Sequence, residues 1–165
     1  MNNFNHYYDS ENARKVISVI VLNENNVLSR IVGLFSARGY NIDSLTVAPI
    51  SDSEYSRMTI VTTGDRRVID QIVKQLNKLI PVLRVNEHFD VVEKETVLIK
   101  IPVDQNLSDV DVLARAYNGS IQNVTQDCIV VSATDEPTRI ANFVKVIKNY
   151  NPIEIVKSGV VAMER

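Results

Sequence analysis

The apolar and polar residues between positions 16 and 45 follow two different periods. Val16 to Leu22 is a mostly β-branched run that is apolar on both faces, which predicts a strand in the middle of a sheet. From Val27 to Phe35 the apolar residues recur at helical spacing, so an amphipathic helix is expected. Gly39 can take the left-handed conformation that ends such a helix, and residues 42–47 then return as a second strand.

Asparagine residues precede this helix, and glycine residues lie within it and after it. Either Asn25 or Asn26 is expected to cap its start by accepting a hydrogen bond from a first-turn N–H group. Gly33 and Gly39 are explained by helix packing and by the helix stop, because no Gly-Lys-Ser/Thr sequence of a phosphate-binding loop accompanies them. A nucleotide-binding loop is therefore not expected here.

The next segments complete a β-α-β-β-α-β order over residues 15–88. Tyr55 to Thr63 predicts a strand that pairs with the preceding one in a hairpin and carries Met58, Ile60 and Thr62 on one side. Asp65 is expected to cap a second helix. Ile80 to Val85 follows as another strand. The second helix is expected to bury Val68, Ile69, Ile72, Val73, Leu76 and Leu79. This order predicts two helices on one face of a four-stranded antiparallel sheet.

A similar order follows a short charged linker over residues 89–95. The expected elements are a strand from Val97, a helix over Val110–Tyr117, paired strands over Ser120–Thr125 and Cys128–Ala133, a helix capped by Thr134 or Asp135, and a strand over Ile153–Val161. The predicted fold class is therefore α+β, with two ferredoxin-like domains over residues 15–88 and 96–165 and a flexible tail over residues 1–14.

Composition narrows the classes of function. The 165 residues are 45% hydrophobic, which is enough to form the cores of two small domains. A net charge of −2 and a pI near 5.7 give no basic field for nucleic acid or an anionic membrane. The single cysteine, Cys128, lies in an apolar run and is expected to be a packed thiol. The first residues lack the apolar segment of a signal peptide, so a cytoplasmic protein is expected.

Residues suited to catalysis are scarce in this chain. His6 and His88 are the only histidines, and neither has neighbours at metal-ligand spacing. The acidic residues fall singly on polar faces, where solvated charge is the expected role. Ferredoxin-like sheets also bind RNA, but the first strand has no aromatic residue and the third offers only Arg57. RNA binding therefore remains an alternative with little support.

The remaining candidate for chemistry is the start of the first helix, at residues 23–28. Unpaired N–H groups at a helix N-terminus bind a carboxylate well, because the helix dipole adds positive potential. The amide of Asn41 could then hold the charged ends of an amino acid if a neighbouring subunit brings it close. The alternative is that these asparagines serve only the backbone of the turn.

Three segments of the chain resemble the regulatory subunits of acetohydroxyacid synthase, also called acetolactate synthase. The segments are Asn23 to Ala48 (NENNVLSRIVGLFSARGYNIDSLTVA), Ser56 to Ile60 (SRMTI) and Lys157 to Val161 (KSGVV). The resemblance implies an N-terminal ACT domain and a protein without catalytic activity of its own. It also implies a larger catalytic partner that this chain activates and makes sensitive to feedback inhibition by valine. Thiamine diphosphate, magnesium and FAD are then expected on that large subunit, and none on this chain.

The resemblance also implies where the effector binds. In the family, ACT domains pair side by side and the effector lies at their interface. The residues at matching positions are Asn23, Glu24, Asn25, Asn26, Val27 and Leu28 of one chain, with Asn41 and Ile42 of the other. The family has glycine where this chain has Asn26, and asparagine is among the best non-glycine residues at positive φ. A stand-alone amino-acid-binding ACT protein that serves another enzyme is the alternative.

Overall fold

The computed structural model describes residues 13–165, and the chain forms two compact units with their boundary between Asp90 and Val91. His6 and most of the predicted tail lie outside the described residues. Ala13 and Arg14, which were predicted to belong to the tail, are instead the first residues of β1. They pair with Gly64 and Thr63 of β3, so the ladder extends further than the apolar run alone indicated.

The first unit has the predicted β-α-β-β-α-β order. Its sheet is antiparallel in the order β2-β3-β1-β4, as expected for a ferredoxin-like fold. The elements are β1 (Ala13–Leu22), α1 (Val27–Ser36), β2 (Ser44–Pro49), β3 (Tyr55–Gly64), α2 (Arg66–Leu76) and β4 (Val82–His88). β3 lies between β1 and the edge strand β2 in the sheet. Because α1 connects β1 to β2, the connection passes over the half of the sheet that contains β3 and β2.

The core of the first unit lies between the sheet and its two helices. Met58, Ile60 and Thr62 of β3 are buried on one side of the strand, as predicted. The helix stripe predicted for α2 is also confirmed, and Asp65 caps α2 by accepting a hydrogen bond from the Arg67 N–H at 2.7 Å. The buried cluster is Ile17, Val19, Val21, Val27, Ile31, Phe35, Met58, Ile60, Ile69, Ile72 and Leu76.

The sequence-based prediction was wrong about where the strands around the boundary begin. The strand expected at 80–85 runs from Val82 to His88, because Pro81 precedes it and its carbonyl accepts the Leu22 N–H. The expected linker over 89–95 is mostly strand, since β5 begins at Val91. Its charges are tolerated because Lys94 and Glu95 have oppositely charged partners within the second unit.

The second unit repeats the layout with an additional strand. Its sheet has the order β6-β7-β5-β8, and β9 also pairs with β5. The elements are β5 (Val91–Pro102), α3 (Leu107–Ala116), β6 (Gly119–Val124), β7 (Cys128–Asp135), α4 (Pro137–Ile147), a 3₁₀ turn (Lys148–Tyr150), β8 (Glu154–Lys157) and β9 (Val161–Glu164). Cys128 is buried, and its thiol lies 3.3 Å from the Thr125 hydroxyl, in agreement with the expectation of a packed thiol.

Two local predictions for this unit were wrong. Neither Thr134 nor Asp135 caps α4, because β7 continues through Asp135 and Glu136 occupies the cap position before Pro137. The last strand is divided at Ser158 into β8 and β9. In the gap between the two short strands, the Ser158 N–H donates to the Thr96 carbonyl at 2.8 Å and the Ser158 hydroxyl oxygen accepts the Thr96 N–H at 2.9 Å.

Candidate functional site

The loop between β1 and α1 is exposed and is held by its backbone. The Asn23 N–H donates to the Glu54 carbonyl at 2.8 Å, which ties the loop to the β2–β3 turn. The Glu24 N–H donates to the Leu22 carbonyl at 2.9 Å. The side chains of Asn23, Glu24, Asn25 and Asn26 are all exposed. These side chains are therefore free to face a ligand or a second chain.

Asn26 starts α1 by a different means from the predicted one. Its φ of 68° is left-handed, its carbonyl accepts the Arg30 N–H at 3.1 Å, and its side chain makes no capping hydrogen bond. The expected side-chain cap is therefore wrong, while the expectation that asparagine can hold the positive φ of this turn is confirmed. The Asn26 side chain does not cap α1, so among the described residues the first-turn N–H groups lack that acceptor and can serve another partner.

Val27 and Leu28 begin the helix in different environments. Val27 is buried in the core, so only its backbone N–H can serve a ligand. Leu28 is 45% exposed and offers an apolar surface beside the open N–H groups. A ligand with one carboxylate and a small apolar group suits this arrangement, because the helix dipole favours the anion and Leu28 can contact the apolar part.

Asn41 and Ile42 lie at the other end of α1. Gly39, with φ 69°, ends the helical turn as predicted, and the chain then passes through Asn41 into β2. The Asn41 side chain is exposed, whereas Ile42 is half-buried against the core of the first unit. A ten-residue helix is about 15 Å long, so one chain does not bring Asn41 to the 23–28 loop.

Three residues that position Asn41 were not identified from the sequence. The Thr62 hydroxyl donates to the Asn41 carbonyl at 2.6 Å, and the Asn41 amide donates to the Asp43 carboxylate at 3.2 Å. The Thr63 hydroxyl donates to the other Asp43 oxygen at 2.8 Å. The Asn-x-Asp spacing could have indicated the Asn41–Asp43 contact. The threonines could not be identified, because the contact depends on the register of β3 beside β2.

His88 has a structural partner in the first unit. Its Nε2 lies 2.7 Å from the Ser18 hydroxyl, and this contact joins β4 to β1. Within the described part of the chain, no group of three or more His, Cys, Asp or Glu side chains is arranged to hold a metal ion. Over the same residues, no helix is both long and apolar enough to cross a lipid bilayer.

A buried carboxylate in the second unit has several charged and polar partners. The buried Asp135 carboxylate accepts hydrogen bonds from Lys94 at 2.9 Å, from Asn118 at 2.8 Å, from the Glu136 N–H at 2.8 Å and from Arg139. The Lys94 ammonium, followed by Arg139 and the two neutral donors, holds the pKa of Asp135 well below its usual range, although burial acts in the opposite direction. These four donors already occupy both carboxylate oxygens, which indicates a structural role.

Comparison with known proteins places both units in one family. Residues 17–84 match the family described as AHAS small subunit-like ACT domain, and residues 94–165 match the family described as small subunit of acetolactate synthase. The chain is 42% identical to the acetolactate synthase isozyme 3 small subunit of Escherichia coli over 159 residues, covering 92% of this chain and 96% of the relative. It is 40% identical to the acetolactate synthase small subunit of Buchnera aphidicola, with 92% and 99% covered.

A solved structure agrees with these matches. The crystal structure of the acetolactate synthase small subunit from Thermotoga maritima superposes with a TM-score of 0.85 at 30% identity. The superposition covers 93% of this chain and 98% of that one. The fold, the two sequence matches and the full-length relatives agree: this chain belongs to the acetolactate synthase small-subunit family, and its first unit is an ACT domain.

Proposed function

We propose that this chain is a non-catalytic regulatory subunit that binds the catalytic large subunit of acetolactate synthase in the cytoplasm. It raises the activity of the large subunit and makes it sensitive to valine, within branched-chain amino-acid biosynthesis. The observation that carries this proposal is the match of both units, over nearly the whole chain, to acetolactate synthase small subunits. The second match favours this function over a stand-alone ACT protein, because it lies outside the ACT domain.

The amino-acid effector binds where the 23–28 loop of one chain faces Asn41 and Ile42 of the partner subunit. Two features support this part of the proposal. The first-turn N–H groups of α1 are not capped by the Asn26 side chain, and they suit a carboxylate. Asn41 is exposed at the opposite end of the same helix, so two chains in antiparallel contact would bring the two halves of the site together.

A homodimer through β2 provides this contact. β2 is an edge strand of the first sheet, and α1 is the helix that leads into it. Edge strands expose backbone groups that pair readily with another chain, and two-fold symmetry makes such a contact self-complementary. Antiparallel pairing of β2 with β2 of the partner would also run the two α1 helices antiparallel, with the start of one beside the end of the other.

The subunit has no cofactor of its own in this proposal. Thiamine diphosphate, magnesium and FAD are assigned to the large subunit, where the chemistry takes place. The small subunit contributes the valine site and contacts that favour the active conformation of its partner. A ligand changes that conformation only by as much as its affinity differs between the two states, so valine must bind the inhibited complex more tightly than the active one.

Reconstitution tests the proposal directly. The purified large subunit is assayed alone and with this chain, over a valine titration. We expect the chain to raise the rate and valine to lower it again, while valine has little effect on the large subunit alone. An unchanged rate and an unchanged valine response would contradict the proposal. Valine binding by this chain, without any effect on the large subunit, would favour a stand-alone sensor.

The dimer has a separate test. Val47 of β2 is 44% exposed at the sheet edge, and Val47→Glu would place a charge in the proposed contact. We expect this variant to shift the chain from dimer to monomer in light scattering after gel filtration. Val112→Glu is the matched control, because Val112 is exposed on α3 of the second unit. A wild-type chain that is monomeric at micromolar concentration would contradict the proposed dimer.

A further inference from the structure

We infer that Asp43 is a positioning residue that orients the Asn41 side-chain amide, so that its oxygen, Oδ1, faces the ammonium group of the effector. The inference rests on the proposed amino-acid site and adds the origin of its selectivity for a ligand with both a carboxylate and an ammonium. The carboxylate binds at the start of α1 in one chain. The ammonium binds at Asn41 of the partner subunit, and Asp43 determines how that amide is presented.

Asp43 is fixed from three directions. Its N–H donates to the Val61 carbonyl at 2.8 Å, which holds its backbone against β3. One carboxylate oxygen accepts the Thr63 hydroxyl at 2.8 Å, and the other accepts the Asn41 amide nitrogen at 3.2 Å. The Asn41 backbone is held as well, because its carbonyl accepts the Thr62 hydroxyl at 2.6 Å. Neither residue is therefore a loosely attached surface side chain.

This geometry determines which end of the Asn41 amide is available. An ionised carboxylate can only accept hydrogen bonds, so the amide must turn its NH₂ group toward Asp43. The flipped amide would place two acceptor oxygens against each other. The Asn41 side-chain carbonyl oxygen is consequently left on the outer side of the planar amide, where it can accept a hydrogen bond from an ammonium.

The charge of Asp43 acts in the same direction. Its carboxylate is one hydrogen bond away from the amide that would hold the ammonium, so its negative charge favours a cation at that position. At the other half of the site, the α1 N-terminus favours an anion. The site therefore discriminates in favour of an α-amino acid and against a carboxylic acid of the same shape that lacks the amino group.

Calorimetric titration of the full chain with L-valine and with 3-methylbutanoate, which lacks the ammonium, tests this inference. We expect Asp43→Ala to weaken L-valine binding about tenfold while changing 3-methylbutanoate binding by less than about twofold. Thr63→Val removes the contact that holds Asp43 and should weaken L-valine binding to a smaller extent. Asp127→Ala, in an exposed turn of the second unit, is the matched control and should change neither affinity.

Nuclear magnetic resonance of the unliganded chain gives a second measurement. The side-chain amide protons of Asn41 should shift in Asp43→Ala and in Thr63→Val, and should not shift in Asp127→Ala. Unchanged L-valine binding in Asp43→Ala, or an equal loss of both ligands, would overturn the positioning role while leaving the effector site in place. A wild-type chain that binds no L-valine would overturn the effector site and this assignment together.

Discussion

Asn26 shows how one residue can keep a turn while changing its chemistry. The family resemblance implies glycine at this position, and a left-handed backbone at φ 68° is what glycine adopts without strain. Asparagine tolerates the same conformation better than other residues with a Cβ. The turn is therefore retained, and the amide side chain of Asn26 is added at the point where an effector would approach the open N–H groups.

Substitution of Asn26 tests this explanation. Asn26→Gly should change the free energy of unfolding by less than about 0.5 kcal/mol, because both residues accept the left-handed backbone. Asn26→Ala should lower it by about 1 kcal/mol, because alanine gains nothing there to offset the strain. Urea denaturation followed by circular dichroism measures both values. Equal stability of the alanine and glycine variants would mean that the left-handed turn carries no such strain.

Asn41→Ala separates binding from folding at the other half of the site. The side chain is exposed and its single described hydrogen bond, to Asp43, is also exposed, so the melting temperature should change little. The valine response of the reconstituted enzyme should weaken about tenfold, because an ammonium would lose its acceptor. Inhibition curves and thermal melts of the same preparation measure the two effects. An unaltered inhibition curve would remove Asn41 from the site.

The space available for a side chain differs strongly between Gly33 in α1 and Gly119 in β6. Gly33 is exposed in the interior of α1, and a Cβ there would meet nothing within 4 Å in the described structure. Packing inside this chain therefore does not require a glycine at that position, contrary to the sequence-based expectation. Gly119 at the start of β6 is the opposite case, since a Cβ would lie 2.5 Å from the Ser132 carbonyl oxygen.

Alanine at these two glycines should have opposite effects on stability. Gly33→Ala should raise the free energy of unfolding by about 0.5–1 kcal/mol, because the unfolded chain loses conformational freedom and the helix gains a better former. Gly119→Ala should lower it by about 2 kcal/mol, because the backbone must move to admit the methyl group. Chemical denaturation of each variant decides the signs. Destabilisation by Gly33→Ala would show that the exposed face of α1 needs glycine for a contact outside this chain.

Charge makes the stability of the whole molecule depend on pH. Asp135 is only 3% exposed and is bonded to groups from β5, the α3–β6 turn and α4. Its partners depress its pKa in the folded state below the value in the unfolded chain, about 3.9. The stability it contributes is therefore fully present above about pH 5 and is lost progressively as the pH falls below about 4.

Asp135→Asn removes this contribution. At pH 7 we expect the free energy of unfolding to fall by about 1–3 kcal/mol, because Lys94 and Arg139 keep their charges and lose their buried partner. The difference from the wild type should shrink as the pH is lowered toward 2, since the wild-type carboxylate is then increasingly protonated. Urea denaturation at several pH values measures this, with Asp127→Asn as the exposed control. A difference that does not depend on pH would contradict the role of ionised Asp135.

The sequence by itself determined the order of the elements, the ferredoxin-like fold and most of the core. The spacing of apolar residues identifies the buried face of each strand and helix, so residues such as Met58, Ile60 and Ile72 could be predicted without coordinates. The family was also recognisable from the sequence, because its longest matching segment, residues 23–48, is continuous and includes the 23–28 loop.

Only the tertiary structure decided the features that depend on neighbouring strands. Whether Val91 to Glu95 is linker or strand depends on the pairing of β5, and the division of the last strand depends on how Ser158 meets Thr96. The support of Asn41 by residues of β3 depends on register in the same way. Contacts between distant segments leave no local period in the sequence. The buried faces could therefore be predicted, whereas the hydrogen bonds that position the candidate site could not.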